Sequence, residues 1–231
     1  MNYVVIPARW SSSRLPGKPL MKIGNKAMIQ WVYESCEKSN ADKIFVATDS
    51  EKIRDQVLGF KGEVIMTSSD HNTGTDRISE AITKINCHDD DLIINVQGDE
   101  PFISYKDINT LIENFKDDFE MATLYKTLTK EDQKDKNTVK INVIDNIATS
   151  FSRDFKSSST IHHHLGIYAY RCDFLKKFVK YSQTENEIRE NLEQFRALDN
   201  GHRIKAFKSY SLKSFGIDTE EDLNRANEIV K

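Results

Sequence analysis

Short apolar runs alternate with amphipathic stretches along the first half of the chain. Each run holds about five apolar or β-branched residues, a typical length for a buried strand. The runs are YVVIPA (3–8), KIFVAT (43–48), EVIMT (63–67) and DLIINVQ (91–97). Apolar residues recur at helical spacing at 27–39, 74–85 and 105–115. This alternation predicts right-handed βαβ units, and so an α/β fold with a mostly parallel central sheet flanked by helices.

The pattern changes after about residue 119, where four strand-like runs follow one another with little helix between them. One of them, VKINVIDNIATSF, predicts a hairpin that turns at Asp145-Asn146. We therefore expect a smaller mixed or antiparallel extension at about 119–170, used by a substrate or a second subunit.

Helical patterns return at 172–180 and 186–200, and the second of these predicts a helix that ends at Asn200-Gly201. HRIKAFK (202–208) predicts a further strand. Thr219 and Asp222 resemble a capping box at the start of a last helix. The 231 residues are ample for one domain with a core of its own, and we expect a single domain over 1–231.

Composition narrows the possible partners. Charged residues make up 30% of the chain but the net charge is only -3, so no basic field predicts a nucleic-acid or membrane partner. The three cysteines are widely spaced and form no CxxC pair, which favours reduced thiols. Neither a signal peptide nor an apolar run of roughly 20 residues is visible, so we expect a cytoplasmic protein.

The candidate functional residues lie beyond the carboxyl ends of the predicted strands, which is where ligands bind in open α/β sheets. The first strand is followed by ARWSSSRLPGKPL (8–20), with three cations, three serines and a Pro-Gly turn. Such a loop can wrap polyphosphate oxygens, although the Walker A spacing is absent. The alternative is a solvated surface loop.

Two acidic stretches complete this chemistry. QGDEP (97–101) brings Asp99 and Glu100 to the rim of the sheet, and GIDT (216–219) brings Asp218 to the start of the last helix. Carboxylates of this kind suit Mg²⁺, which proteins hold with one or two carboxylates and substrate phosphates. The alternative for QGDEP is a simple polar turn. The alternative for Asp218 is an acidic residue that only stabilises a helix N-terminus. Together with the cationic loop, they favour metal-assisted attack on a nucleotide phosphate.

Other polar residues suggest a sugar site. HNTGTDR (71–77) supplies Arg77, or is simply a loop and a helix cap. His162, His163 and His164 are a poor zinc site because adjacent strand residues point to opposite faces. His164 shares a face with Tyr168, and the two could contact a sugar. Glu193 and Gln194 are either surface residues of an amphipathic helix or ligands of sugar hydroxyls.

These motifs, in order, resemble those of the 3-deoxy-manno-octulosonate cytidylyltransferase (CMP-Kdo synthetase) family. They are IPARWSSSRLPGKPL, VATDS, HNTGTDR, NVQGDEP, VKINV, FSR, HLGIYAYR, LEQFRALDNG and GIDTEEDL. The resemblance implies a nucleotide-diphospho-sugar transferase-like fold, a homodimer and a role in lipopolysaccharide synthesis. It also implies the reaction CTP + Kdo → CMP-Kdo + diphosphate, with Mg²⁺.

The resemblance assigns roles by motif match. Residues implied to hold CTP are Arg9, Ser12, Arg14 and Lys18. Asp99 and Asp218 are implied to bind Mg²⁺ and, with Lys18, to be catalytic. Residues implied to surround the sugar acid are Arg77, Gln97, Arg153, His164, Tyr168, Glu193 and Gln194.

The chain departs from the family between FSR (151–153) and HLGIY (164–168), where the family's loop is longer and carries further basic residues. Kdo, 8-amino-Kdo and another sugar acid therefore stay open as substrates. Another nucleotidyltransferase activity is the alternative within enzymes. A nucleotide-sensing module is the non-enzymatic alternative, and the presence of both acids disfavours it.

Overall fold

The fold is described here from a computed structural model that covers residues 1–11, 15–116, 119–209, 211 and 215–231. Within these ranges the strands are β1 Asn2–Ala8, β2 Lys22–Ile23, β3 Lys26–Ala27, β4 Lys43–Thr48, β5 Val64–Met66, β6 Leu92–Asn95, β7 Met121–Lys126, β8 Lys140–Ile144, β9 Ile147–Ser152, β10 Ile161–Arg171 and β11 Ile204–Lys208. The α-helices are α1 Met28–Cys36, α2 Glu51–Gly59, α3 Gly74–Lys84, α4 Tyr105–Asn114, α5 Lys130–Lys134, α6 Cys172–Phe178, α7 Glu185–Glu190, α8 Phe195–Asp199 and α9 Glu220–Ile229. A 3₁₀ helix spans Lys18–Leu20.

Apart from the β2–β3 hairpin, the strands of the described chain form one sheet in the order β5-β4-β1-β6-β10-β7-β11-β9-β8. The half built from β5, β4, β1 and β6 is parallel, as the alternating pattern predicts. β10 then runs antiparallel to β6 and β7, and only β7 and β11 are parallel beyond it. The prediction of a mostly parallel sheet is therefore not confirmed for the whole sheet, which is mixed.

The extension contains the predicted hairpin. β8 and β9 pair antiparallel, and the turn between them is formed by Asp145 (φ 51°) and Asn146 (φ 60°). Left-handed conformations at both central residues are the signature of a tight type I′ hairpin turn, and Asn and Asp tolerate them better than most residues. β8 also pairs with the first residues of β10, so this half of the sheet curls back on itself.

Apolar side chains pack on both faces of the sheet. One cluster joins α3 and α6 to the extension, and another packs α1, α2 and α4 against the parallel half. A third, smaller cluster holds the carboxyl-terminal segment: Ile217 and Ala226 pack against Ile23 and Met28. This last contact brings the segment before α9 back to the carboxyl ends of the parallel strands.

Candidate functional site

The cationic loop after β1 delivers Lys18 to the interior. Gly17 adopts a left-handed conformation (φ 70°), and its N–H donates to the Trp10 carbonyl oxygen at 3.0 Å. A side chain at Gly17 would be strained, and its Cβ would lie 3.1 Å from the Trp10 ring. The chain turns there into the 3₁₀ helix, and Lys18 is left only 8% exposed.

The Lys18 ammonium joins the two acids that the sequence predicts as partners. Its Nζ lies 2.6 Å from an Asp99 carboxylate oxygen and 3.1 Å from an Asp218 carboxylate oxygen. It also donates to the Ile217 carbonyl oxygen at 2.8 Å. Three segments far apart in sequence therefore converge on one positive charge.

A first cavity, of about 320 Å³, opens beside this cluster. Its lining includes Arg9, Lys18, Arg77, Gln97, Asp99 and Asp218. The backbone is tightly packed at its floor, because a Cβ on Gly98 would lie 2.9 Å from the Pro7 carbonyl oxygen. Ser12 and Arg14, which the resemblance also assigns to the nucleotide, lie outside the described residues.

Arg77 is held firmly in the wall of the first cavity. It sits in the first turn of α3, which Thr73 and Asp76 cap reciprocally. Its guanidinium donates to Thr67 Oγ1 (2.6 Å), to the Ser68 carbonyl oxygen (3.1 Å) and to Asp49 Oδ2 (3.1 Å). Sequence reasoning missed Asp49, although it stands in the quoted VATDS motif.

A second cavity, of about 610 Å³, lies between the extension and the carboxyl-terminal segment. Four of the residues predicted for the sugar line it: Arg153, His164, Tyr168 and Gln194. Arg77 and Gln97 do not line this cavity. Asp218 lines both cavities, so the two spaces meet at the Lys18 cluster.

His164 and Tyr168 form one wall of the second cavity, and apolar side chains pack behind this wall. Their rings lie 5.5 Å apart, on the same face of β10 as predicted, despite a register shift between Leu165 and Tyr168. Burial lowers the pKa of His164 to about 3, and Nε2 lies 3.0 Å from Thr123 Oγ1. Burial also raises the pKa of Tyr168 well above its usual value. Both side chains are therefore uncharged at neutral pH, and Arg153 supplies positive charge to this wall.

Glu193 and Gln194 are not surface residues of a continuous helix. The predicted helix at 186–200 is broken, because Asn191 takes a left-handed conformation (φ 52°) between α7 and α8. Arg196 makes a buried ion pair with Glu187 across this break, at 2.5 Å. The turn directs Gln194, only 4% exposed, into the second cavity.

The buried polar atoms of this turn differ in their bonding. Glu193 accepts a hydrogen bond from Thr75 Oγ1 at 2.5 Å, and burial raises the pKa of its carboxyl group. Gln194 Nε2 has no hydrogen-bond partner among the described residues. A buried amide donor facing a cavity is suited to a hydroxyl or carboxylate of a ligand.

The other two histidines of the triplet make contacts within the extension. The His162 ring stacks on Tyr125 at 4.5 Å, and His163 Nδ1 lies 2.9 Å from Asp132. In the described parts of the chain, no group of three or more His, Cys, Asp or Glu side chains is arranged to hold a metal. Asp99 and Asp218 are only two carboxylates, and proteins commonly hold Mg²⁺ with one or two carboxylates where substrate phosphates supply further ligands.

No helix in the described ranges is both long enough and apolar enough to cross a membrane.

Comparison with known proteins places the chain in a family. A model of the cytidylyltransferase family matches residues 3–206. The 3-deoxy-manno-octulosonate cytidylyltransferase of Fusobacterium nucleatum is 45% identical, over 98% of this chain and 96% of its own length. The enzyme of the same name from Photobacterium profundum is 41% identical, over 98% of both chains.

Solved structures agree. The structure of CMP:2-keto-3-deoxy-manno-octonic acid synthetase complexed with CTP has a TM-score of 0.91 and 36% identity, covering 99% of this chain and 98% of its own. A cytidylyltransferase from Leptospira borgpetersenii, 18% identical with a TM-score of 0.68 over 99% of this chain and 86% of its own, shares the fold. The chain therefore belongs to the cytidylyltransferase family, among the 3-deoxy-manno-octulosonate cytidylyltransferases that its motifs resemble.

Proposed function

We propose that this protein activates Kdo by the reaction CTP + Kdo → CMP-Kdo + diphosphate. The observation that carries the proposal is the Lys18 ammonium, which two distant acids hold where two polar cavities meet. The names of the relatives, and of the structure complexed with CTP, support this choice of substrates.

In this proposal CTP occupies the first cavity. Arg9 and Lys18 neutralise its phosphates, and Ser12 and Arg14 keep the phosphate-binding role that their motif implies. A triphosphate concentrates negative charge, so cations fixed in a partly buried site stabilise it more than mobile surface cations would.

The sugar acid occupies the second cavity. Arg153 faces its carboxylate, while His164, Tyr168 and Gln194 contact its hydroxyl groups. Glu193 lies behind this wall and holds Thr75. Arg77 and Gln97 line the first cavity, so they contact the sugar only where it approaches the nucleotide.

Asp99 and Asp218 are the residues that would hold Mg²⁺. Their fit to a cation is supported by the structure, because both already place carboxylate oxygens around one ammonium group. Bound Mg²⁺ would supply positive charge to the phosphates and acidify a coordinated hydroxyl group.

The reaction itself is an in-line substitution at phosphorus. The anomeric hydroxyl of the sugar attacks the α-phosphorus and loses its proton to solvent, while the bond between the α-phosphorus and the bridging oxygen breaks and diphosphate leaves. The chain lowers the barrier by aligning the two substrates at the junction of the cavities and by neutralising the phosphates with Lys18 and Arg9.

We also propose that residues 1–231 act as one cytidylyltransferase domain in the cytoplasm. The extension at about 119–170 would serve sugar binding and the contact between the two subunits of a homodimer. Light scattering of the purified protein tests the dimer, since a monomeric mass would exclude it.

A substrate panel tests the function. Diphosphate release is measured with CTP and, in turn, Kdo, 8-amino-Kdo and sialic acid. We expect Kdo to give the highest kcat/KM. A higher kcat/KM for another sugar acid would identify that acid as the substrate in place of Kdo. CTP binding without diphosphate release would indicate a nucleotide sensor instead.

A further inference from the structure

Lys140 is a buried lysine that sequence reasoning left without a role. It begins β8, where it pairs with Ser152 of β9 and His163 of β10. The residue is 1% exposed. Its Nζ donates to the Arg153 carbonyl oxygen at 2.5 Å and to the Asp135 carbonyl oxygen at 3.2 Å.

The ammonium group has hydrogen-bond acceptors but no ion-pair partner. Among the described residues no carboxylate oxygen lies within 4.0 Å of it. The nearby Asp132 carboxylate pairs with His163, and the Asp135 carboxylate accepts from the Asn137 N–H and the Thr138 hydroxyl. Burying a charge is unfavourable unless an opposite charge compensates it, and neutral carbonyl oxygens compensate it only in part.

The position of Lys140 suggests what completes the compensation. Asp135, Thr138, Val139 and Arg153 all line the second cavity, so the ammonium lies directly behind its wall. This is the cavity in which the proposed function places an anionic sugar acid. A fixed positive charge behind a partly dry wall attracts an anion more strongly than the same charge in water.

Lys140 also fixes Arg153 from behind. Its ammonium holds the Arg153 carbonyl oxygen, and the Arg153 guanidinium donates to the Glu190 carbonyl oxygen at 2.7 Å. The backbone of Arg153 is therefore held by Lys140 of β8, and its side chain is held by the end of α7. Such double support limits the movement of a binding side chain.

We infer that Lys140 is a positioning residue for the sugar acid: it holds Arg153 in place and adds positive potential to the wall that faces the substrate carboxylate. The inference rests on the proposed function. It predicts a selective effect on the charged sugar substrate and none on the nucleotide.

The test compares Lys140→Met with Lys136→Met, an exposed lysine of the same segment, as the matched control. Diphosphate release is measured with Kdo varied at saturating CTP, and with CTP varied at saturating Kdo. We expect Lys140→Met to raise the KM for Kdo about tenfold, equivalent to about 1.4 kcal/mol, with the KM for CTP unchanged. Lys136→Met should behave as the wild type.

A second measurement separates charge from shape. The C1 amide of Kdo has the same outline without the negative charge, and its inhibition constant is measured on both proteins. We expect Lys140→Met to raise this constant much less than it raises the KM for Kdo, because the amide loses only the support of Arg153 and not the charge attraction. Equal weakening of acid and amide would show a merely structural role and overturn the inference, as would an unchanged KM for Kdo.

Folding is checked by circular dichroism and by CTP binding. If Lys140→Met does not fold, Lys140→Gln keeps an N–H donor for the carbonyl oxygens, removes the charge and undergoes the same comparison. If neither variant folds, Lys140 is required for the structure itself, and the inference is overturned. If the wild-type protein itself released no diphosphate with Kdo, the proposed function would fail, which is a separate outcome.

Discussion

At the residue scale, Lys18 stabilises an arrangement that its two partners would otherwise oppose. Asp99 and Asp218 bring two negative charges to one point, and like charges this close repel. The ammonium between them offsets that repulsion in the absence of ligands. A cation that enters between the same carboxylates must displace Lys18, and the phosphates of a nucleotide are suitable new partners for it.

Replacing Lys18 therefore has two opposite effects. We expect Lys18→Met to lower kcat/KM by about 100-fold, because a charge that stabilises the phosphates is lost. We expect the same change to raise the affinity of the nucleotide-free protein for Mn²⁺ about tenfold, because the competing ammonium is gone. Electron paramagnetic resonance measures free Mn²⁺, and the exposed Lys22→Met is the control. An unchanged Mn²⁺ affinity would contradict the competition.

The two acids should be individually necessary. We expect Asp99→Asn and Asp218→Asn each to lower kcat by about 1,000-fold or more, since each removes one carboxylate that Mg²⁺ needs. Circular dichroism should show an intact fold. The exposed Asp70→Asn serves as the control, and near-normal turnover in either variant would refute the metal assignment.

His164 predicts a specific pH dependence of stability. Its folded pKa of about 3 lies below the usual value of 6.5, so the unfolded chain binds this proton more readily. The stabilising contribution is complete above pH 6.5 and is lost progressively as the pH falls towards 3. The free energy of unfolding of the wild type should fall by about 1.4 kcal/mol per pH unit more than that of His164→Gln between pH 5.5 and 4. Urea unfolding measures both proteins, and identical slopes would contradict a buried neutral imidazole.

At the element scale, local pattern predicts the elements better than their arrangement. β4 and the β8–β9 hairpin lie where apolar runs and turn residues predict them, because both signals are local. The insertion of β10 between β6 and β7 depends on pairing across the whole chain, which no local run encodes. The short β2–β3 hairpin and the 3₁₀ helix carry almost no periodicity, and the sequence did not reveal them.

The same limit applies to the site. The meeting of Lys18, Asp99 and Asp218 followed from the rule that ligands bind beyond strand ends. The separation of Arg77 and Gln97 from Arg153 did not follow, because it depends on how the extension folds back. The break before α8 was also hidden, since the apolar spacing of Leu192, Phe195 and Leu198 continues through it.

The buried pair Glu187–Arg196 should hold the α7–α8 turn. We expect Glu187→Gln to lower the free energy of unfolding by about 2 kcal/mol, because it removes the closer carboxylate of the buried Arg196 guanidinium and leaves only Glu193, 3.6 Å away, as its counter-charge. Urea unfolding measures this, and the exposed Arg189→Met should change it by less than about 1 kcal/mol. We also expect a higher KM for Kdo and an unchanged KM for CTP, since Gln194 follows this turn. A loss in Glu187→Gln no larger than in Arg189→Met would contradict a structural ion pair.

At the scale of the whole molecule, the two halves of the sheet contribute to two different cavities that meet at one point. The end of β1, the loop after β6 and the start of α3 line the first cavity, and the extension supplies half of the residues that line the second. The carboxyl-terminal segment brings Asp218 to the border of both. Ligands at this border should therefore add to the contacts that already join these segments, which are the sheet, the ion pairs of Lys18 and the small cluster under α9.

Ligand-linked stability tests this coupling in the intact protein. CTP with Mg²⁺ at about 100 times its Kd should add about 2.7 kcal/mol to the free energy of unfolding. For a chain of this size that is a rise in Tm of about 5 to 10 °C, which differential scanning fluorimetry can measure.

Chelating the metal should remove a large part of this rise in Tm, because the acids and the phosphates then repel each other. Asp218→Asn should show a smaller rise that no longer responds to the chelator, whereas Asp70→Asn should behave as the wild type. A rise that is equally large with and without metal would mean that CTP binds without engaging the carboxyl-terminal acid, and that the two cavities do not meet around one metal-bound nucleotide.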